Sequence, residues 1–115
     1  MQGKDGLPIV SFTDIDALHG WLEAHHATSK GIWVRVYKKH SGVQSIRFED
    51  LLEEGLCFGW SESLRVRGDA QSYLQKFTPR KIKGTTSGRN LKLAEKLIAE
   101  GRMTPVGRKA LGLDD

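Results

Sequence analysis

Hydrophobic and polar residues alternate along one stretch near the start of the chain, which is the pattern of a half-buried β-strand. This stretch is GIWVRVYKKH at 31–40, in which Trp33, Arg35 and Tyr37 face away from the intervening isoleucine and valines. Its β-branched and aromatic content agrees with a strand. A shorter β-like run, PIVSF, occupies 8–12. We therefore predict two strands in this part of the chain.

Two further β-like runs lie close together in the second half of the chain. WSESLRVR at 60–67 and SYLQKFTPR at 72–80 are separated by the residues GDAQ. This spacing predicts a β-hairpin. Because residues two apart on a strand share a face, Arg65 and Arg67 are predicted to form one basic row.

Helical spacing of hydrophobic residues predicts two helices before the hairpin. Thr13 is the predicted N-cap of the first helix, with Asp16 at the position of a weak capping box, and the helix is expected to end near 29–31. Ser45 is predicted to open the second helix, and Gly59 to end it.

Two further helices are predicted after the hairpin, and the second of them is short. Ser87 caps one that runs to Gly101, and Thr104 caps a final helix with Pro105 in its first turn. The element order is therefore βαβαββαα, which has too few strand–helix alternations for a doubly wound sheet. We predict an α+β fold: a small, mostly antiparallel sheet of the N-terminal strand, the central strand and the hairpin, packed with three to four helices.

Length and composition indicate the class of protein. The chain has 115 residues, 38% of them hydrophobic, and is expected to form a single domain over 1–115. We expect residues 1–7 to be flexible and 108–115 to be a frayed tail. No apolar run reaches the ~20 residues of a membrane helix, the N-terminus does not resemble a secretory signal, and one cysteine cannot form an internal disulfide. These features favour a cytoplasmic protein without a transmembrane segment.

Positive charge is concentrated in one part of the chain. Residues 64–92 hold eight Lys or Arg against Asp69 alone, whereas residues 1–63 hold six Lys or Arg against nine Asp or Glu. The hairpin and the loop after it carry the cations Arg65, Arg67, Lys76, Arg80, Lys81 and Lys83. Such a patch suits an anionic ligand, a nucleic acid or the acidic surface of a partner protein. The alternative is a solvated sheet edge whose lysines discourage aggregation.

Cys57, the only cysteine, is a candidate nucleophile in the stretch EEGLCFGWSES. A reactive thiol needs a lowered pKa, which a nearby cation or a helix N-terminus provides. Here the cysteine follows four acids near the C-terminal end of a helix, and both features favour the neutral thiol. We predict that Cys57 packs in or beside the core.

Glu62 is the other candidate for chemistry in this stretch. A carboxylate beside an aromatic residue such as Trp60 can have a raised pKa and act as an acid or base. The simpler interpretation is an ion pair with Arg65 or Lys76 on the hairpin.

The four histidines do not form a metal-binding pattern. His19, His25, His26 and His40 include no pair four residues apart, and the chain has no other ligand motif. His19 and His26 are seven apart and can share a helix face. We predict histidines that are solvated or placed near helix ends, with no metal and no cofactor.

Three short motifs follow one another in a recognisable order: LCFGW at 56–60, QKFTPR at 75–80 and GRMTP at 101–105. With them the chain resembles the bacterial YdeI/OmpD-associated family, also called the bacteriocin-protection family. The resemblance extends from about Phe12 to Gly107, nearly the whole chain.

The resemblance implies a role in stress protection, because members of that family are linked to tolerance of bacteriocins and cationic antimicrobial peptides. It implies no particular reaction. The chain departs from the family at two places: Ser61-Glu62-Ser63 stands where Ile-Asp-Gly is usual, and Thr86-Ser87 where Trp-Ser is usual.

Our first hypothesis is a non-enzymatic binding module of a stress-protection family. Its predicted ligand site is the hairpin and its exit: Trp60, Glu62, Arg65, Lys76, Phe77, Thr78, Pro79 and Arg80. The first alternative is a nucleic-acid-binding domain that uses the basic patch. The second is an enzyme that uses Cys57 or Glu62.

Overall fold

The structure, a computed structural model, describes residues 3–80 and 88–113. Within these ranges the chain forms five strands, four α-helices and one short 3₁₀ turn. The elements in chain order are β1 (Gly3–Lys4), β2 (Leu7–Ser11), α1 (Ile15–His25), β3 (Ile32–Tyr37), the 3₁₀ turn (Lys39–Ser41), α2 (Phe48–Phe58), β4 (Trp60–Arg67), β5 (Ser72–Pro79), α3 (Gly88–Ala99) and α4 (Pro105–Ala110).

The strands form one mixed sheet in the order β1-β2-β3-β5-β4. The β1–β2, β3–β5 and β4–β5 pairs are antiparallel, and β2–β3 is parallel. The parallel pair requires a crossover, which α1 supplies. The predicted α+β class and mostly antiparallel sheet are confirmed.

The helices cover one face of this sheet, which we call the helix face; the opposite side is the outer face. Ile32, Val34 and Val36 alternate along β3 onto the helix face and join the hydrophobic core. The core also contains the Trp60 and Phe77 rings, whose centroids lie 5.1 Å apart. Helix α2 contacts α1, α3, α4 and β4, so it is the centre of the helical layer.

Two predicted helix starts were wrong by one or two residues. Asp14 caps α1 instead of Thr13, because its carboxylate accepts the Ala17 backbone N–H at 2.9 Å. Arg47 precedes α2, and its own N–H donates to the Asp50 carboxylate at 3.0 Å. The predicted cap Ser45 instead accepts the Tyr37 N–H at 3.2 Å, so it secures the end of β3.

The predicted end of α1 is wrong, whereas the predicted ends of α2 and α3 are confirmed. Helix α1 stops at His25, several residues before the expected end, and the chain turns there with the Ser29 N–H donating to the His25 carbonyl at 2.9 Å. Gly59 and Gly101 end α2 and α3 with φ of 75° at both, as predicted. Thr104 caps α4 through the Gly107 N–H, with Pro105 at its start. The predicted cap Ser87 lies outside the described residues.

Regular structure is present at both ends of the described chain, where we predicted a flexible segment and a frayed tail. β1 pairs with the start of β2 through a two-residue turn, in which Asp5 and Gly6 have φ of 56° and 76°. Asp-Gly is a preferred sequence for such a turn, so this hairpin carried a sequence signal that our prediction missed. At the other end, residues 108–110 belong to α4 and the Leu111 side chain is buried.

Candidate functional site

The β4–β5 hairpin places its cations on two different faces of the sheet. Arg65 pairs with Gln75, whose other partner is Val34 of the core, so Arg65 lies on the helix face. Arg67 follows on the same face, as predicted. Lys76 pairs with Trp33 and lies on the outer face. The described members of the predicted six-residue basic patch therefore do not form one surface, because they lie on both faces of the sheet.

Arg65 is held against aromatic rings on the helix face. Its guanidinium carbon lies 4.2 Å from the centroid of the Tyr73 ring and 5.3 Å from that of Phe48. Such stacking is a cation–π interaction, which an arginine makes well. Both Arg65 and Arg67 are exposed to solvent, but Arg65 also packs its guanidinium group on the two rings.

An open cleft of about 980 Å³ lies on the outer face, at the end of the sheet where β2 and β3 begin. We call it the basic cleft. Its described lining residues come from the β1–β2 turn, the loop before β3, and the β4–β5 hairpin with its exit: Asp5, Leu7, Ser29, Lys30, Ser61, Ser63, Lys76, Thr78, Pro79 and Arg80.

The floor of the basic cleft consists of small side chains. Thr78 and Ser61 are direct partners across the β4–β5 pair. Gly31 lies beside Thr78 with φ of 138°, and a Cβ built on it falls 2.6 Å from the threonine methyl carbon. Any larger residue at position 31 would therefore displace the floor.

The charges around the basic cleft are mostly positive. Lys30, Lys76 and Arg80 line it together with one acid, Asp5. Lys76 extends over buried Trp33, with its Nζ 5.8 Å from the centroid of that ring. The rest of the polar lining consists of four hydroxyl groups, those of Ser29, Ser61, Ser63 and Thr78. Cations combined with hydroxyl groups are typical of sites that hold phosphate or carboxylate groups.

The chain belongs to the family described as Domain of unknown function (DUF8412), whose model matches residues 10–110. No curated protein and no solved structure matches the chain. The family description gives no activity, and the resemblance to the YdeI/OmpD-associated family stays a prediction.

The predicted site residues of this DUF8412 chain fall into three groups. Lys76, Thr78, Pro79 and Arg80 line the basic cleft. Two aromatic residues, Trp60 and Phe77, are buried in the core, and two charged residues, Glu62 and Arg65, lie on the helix face. Lys81 and Lys83 of the predicted patch, and Thr86 of the departures from the resembled family, lie outside the described residues.

The residues on the other side of the cleft were not predicted from the sequence. Asp5, Ser29 and Lys30 come from two loops far from the hairpin in sequence. Ser61 and Ser63 were noted only for their place beside Glu62. The sole local signal was the Asp-Gly turn, which predicts a hairpin but not what the hairpin faces.

Glu62 does not form either predicted ion pair within the described part of the chain. It pairs with Phe77 across the hairpin, so its side chain starts on the helix face. Burial raises the pKa of the Glu62 carboxyl above its usual value, while its own backbone N–H and the charge of Arg80 act in the opposite direction. Among the described residues, neither Glu62 Oε2 nor Arg80 Nε has a hydrogen-bond partner.

The three sequence motifs meet around the end of α2, and one of them also contributes to the basic cleft. The Thr104 hydroxyl donates to the Cys57 carbonyl oxygen, which joins GRMTP to LCFGW. Trp60 and Phe77 join LCFGW to QKFTPR inside the core. QKFTPR also lines the cleft, through Lys76, Thr78, Pro79 and Arg80. LCFGW and GRMTP are therefore packing contacts of the fold, whereas QKFTPR serves both the core and the cleft.

A buried carboxylate, which the sequence did not reveal, ties the helices together. Glu54 on α2 is 3% exposed, and its two oxygens lie 2.8 Å from His19 Nδ1 and 2.9 Å from Arg102 Nη2. Arg102 also donates to Glu53 at 2.8 Å. A small cavity of about 380 Å³ opens beside His19, Glu54 and Arg102. The network connects α1, α2 and the loop before α4.

Two of the four histidines, His19 and His26, lie against the same side chain of α2. The His19 and His26 rings both contact Phe58, with centroids 5.4 and 5.2 Å from it, so they share a helix face as expected. In the part of the chain that the structure describes, no three His, Cys, Asp or Glu residues are grouped to hold a metal ion. No helix in that part is long and apolar enough to span a bilayer.

Cys57 is buried in the core, as predicted. Burial, helped by the nearby Glu54 carboxylate, raises the pKa of its thiol to about 12. The group is therefore protonated at neutral pH and out of contact with solvent. The alternative of an enzyme that uses Cys57 as a nucleophile does not fit this environment.

We expect Cys57 in the folded protein to react with iodoacetamide at pH 8 at least about a hundredfold more slowly than in the unfolded chain, because labelling requires an opening of the core. Mass spectrometry with and without urea measures the two rates. The Ser63→Cys variant is the control, since position 63 is exposed and its thiol should react quickly in the folded state. Fast labelling of wild-type protein would contradict the buried position.

Proposed function

We propose that the chain is a binding module for a small anionic ligand, which it holds in the basic cleft. The observation that carries this proposal is the convergence of Lys30, Lys76 and Arg80, from two separate segments, around a floor of hydroxyl groups. Cations that face one cavity repel one another, and a bound anion relieves that repulsion.

The same geometry favours a compact ligand over an extended nucleic acid. Arg65 and Arg67 lie on the helix face, so they cannot extend the cationic surface of the cleft. Three aromatic rings of this region, those of Trp33, Trp60 and Phe77, are buried. Proteins that hold single strands without reading their sequence use exposed rings as stacking platforms. The basic cleft offers hydrogen bonds and charge instead.

Neutralising the cleft cations is expected to weaken anion binding. We expect Lys76→Met and Arg80→Gln each to raise the Kd for pyrophosphate, the probe, by about tenfold, because each removes a charged hydrogen-bond donor. Isothermal titration calorimetry at low salt measures the affinities. Methionine keeps the length of the lysine stem over Trp33, so packing is retained.

The matched control is Arg67→Gln, which changes the net charge by the same amount on the other face. It should leave the pyrophosphate affinity within about twofold of wild type. If Arg67→Gln weakens binding as much as the two cleft variants, the attraction is a property of net charge and the proposed cleft site is wrong. The same conclusion follows if wild-type protein does not bind pyrophosphate.

A single-stranded oligonucleotide distinguishes the nucleic-acid alternative. The slope of log K against log salt concentration is about −0.7 per phosphate neutralised, so the three cleft cations predict a slope no steeper than about −2. The undivided patch of six cations would give about −4. A slope near the steeper value would favour nucleic-acid binding over our proposal.

We further propose, from the resemblance to the bacteriocin-protection family, that anion binding serves tolerance of antimicrobial peptides. The cleft charges argue against capture of the peptide, because a cationic peptide is repelled by three cations. Protection would therefore act through the anionic ligand. In a bacterial host that expresses the chain, Lys76→Met should lose the survival advantage under peptide stress and Arg67→Gln should keep it. Equal survival with both variants would contradict this proposal.

A further inference from the structure

Asp5 is the exception in the basic cleft, and it indicates what else the ligand carries. Its side chain is exposed at the tip of the β1–β2 turn and lines the same cavity as the three cations. A carboxylate repels a phosphate and accepts hydrogen bonds but does not donate them when ionised. Beside a simple anion, Asp5 would only reduce the affinity. It becomes favourable when the ligand also has hydrogen-bond donors.

The parallel pairing of β2 and β3 explains why Asp5 reaches the cleft. Both strands begin at the same end of the sheet, so the turn before β2 and the loop before β3 lie side by side. Lys30 is in that loop, and Arg80 follows the end of β5, which runs antiparallel to β3. The acid and these two cations therefore all lie at the same end of the sheet.

The floor between the charged groups is suited to a ligand with hydroxyl groups. Ser61, Ser63 and Thr78 each offer a hydroxyl that can donate and accept a hydrogen bond. Buried Gly31 leaves room for the Thr78 side chain, because a Cβ there would fall 2.6 Å from the threonine methyl carbon. The floor presents no exposed aromatic ring from Trp33, Trp60 or Phe77 for stacking a base. Polar contacts along this floor favour a polyol over a nucleobase.

We propose that the ligand of the basic cleft is a sugar phosphate, with its phosphate group at the cations and its hydroxyl groups at Asp5 and the hydroxyl-lined floor. This inference rests on the proposed function and assigns the ligand class of that same site. Carboxylates bind the neighbouring hydroxyl groups of a sugar because their two oxygens accept two hydrogen bonds, as acidic residues do with ribose in dinucleotide-binding domains.

The test uses calorimetric titration of the full chain with ribose 5-phosphate, ribose and inorganic phosphate as probes. We expect wild-type protein to bind ribose 5-phosphate about tenfold more tightly than inorganic phosphate, and ribose alone too weakly to measure. The Asp5→Asn variant should bind ribose 5-phosphate about fivefold more weakly and inorganic phosphate at least as tightly as wild type. Asparagine accepts the positive φ of position 5, so the turn is retained.

The control variant is Asp16→Asn, which removes the same charge from an exposed position on α1. It should not alter the preference for ribose 5-phosphate. If inorganic phosphate binds as tightly as ribose 5-phosphate, the sugar assignment is wrong and the anion site stands. The same conclusion follows if Asp5→Asn weakens the binding of ribose 5-phosphate no more than Asp16→Asn does. If wild-type protein binds neither phosphate compound, the proposed function itself fails.

Discussion

Gly107→Ala is expected to lower the free energy of unfolding by about 3 kcal/mol. Gly107 lies in α4 directly against the end of α2, and a Cβ built there falls 2.5 Å from the Leu56 carbonyl oxygen and closer still to that of Cys57. These atoms belong to the helix backbone, so they cannot move aside as a flexible side chain can. The methyl group must displace α4, which also disturbs the Thr104 hydrogen bond to Cys57. Urea denaturation followed by circular dichroism measures the change.

Gly20→Ala is the matched control for this substitution. Gly20 is in the interior of α1, and nothing lies within 4 Å of a Cβ built on it. Alanine has a higher helix propensity than glycine by about 0.5–1 kcal/mol, so this variant should be more stable than wild type. A Gly107→Ala protein as stable as Gly20→Ala would show that α4 does not pack on α2 as described.

Arg102→Leu is expected to destabilise the fold by about 2–3 kcal/mol, because it leaves the buried Glu54 carboxylate without its arginine partner and with His19 alone. This loss of stability is smaller than that expected for a fully buried ion pair, because the Arg102 side chain is itself 30% exposed. Lys96→Met is the control, since Lys96 forms a solvent-exposed pair with Glu100 at 3.9 Å. Its loss should cost less than about 0.5 kcal/mol.

A double-mutant cycle separates the charge effect from lost packing. If Arg102→Leu acts by leaving a charge buried, combining it with Glu54→Leu should recover a large part of the stability lost in the single variant, with a coupling energy above about 1 kcal/mol. Additive effects of the two substitutions would mean that Arg102 contributes through its stem and its pair with Glu53 alone.

The elements of the fold followed from local patterns, with errors where two candidates competed locally. Strand β3 and the hairpin were predicted because alternation and turn spacing are short-range properties. Thr13 and Asp14 are both good N-caps, and only the geometry of the turn decided for Asp14. Ser45 was a plausible cap that instead accepts a hydrogen bond from the backbone of Tyr37, the last residue of β3.

The candidate site was predicted only in part, because cross-strand register decides which face a side chain occupies. Four hairpin residues at 76 and 78–80 were predicted and do line the cleft. Arg65 was grouped with Lys76 by proximity in sequence, but the β4–β5 register, with its irregularity between Glu62 and Arg65, puts them on opposite faces. A shift of one residue in register exchanges the two faces of a strand.

The sequence by itself determined the α+β class, the helix stops at Gly59 and Gly101, and the burial of Cys57, since these depend on residue periodicity, glycine backbone freedom and nearby charge. The tertiary structure decided the composition of the basic cleft. Asp5 and Lys30 meet the hairpin there because the parallel β2–β3 pair begins both strands at one end of the sheet. Such a meeting of distant segments has no local signature in the chain, so no pattern along the sequence predicts it.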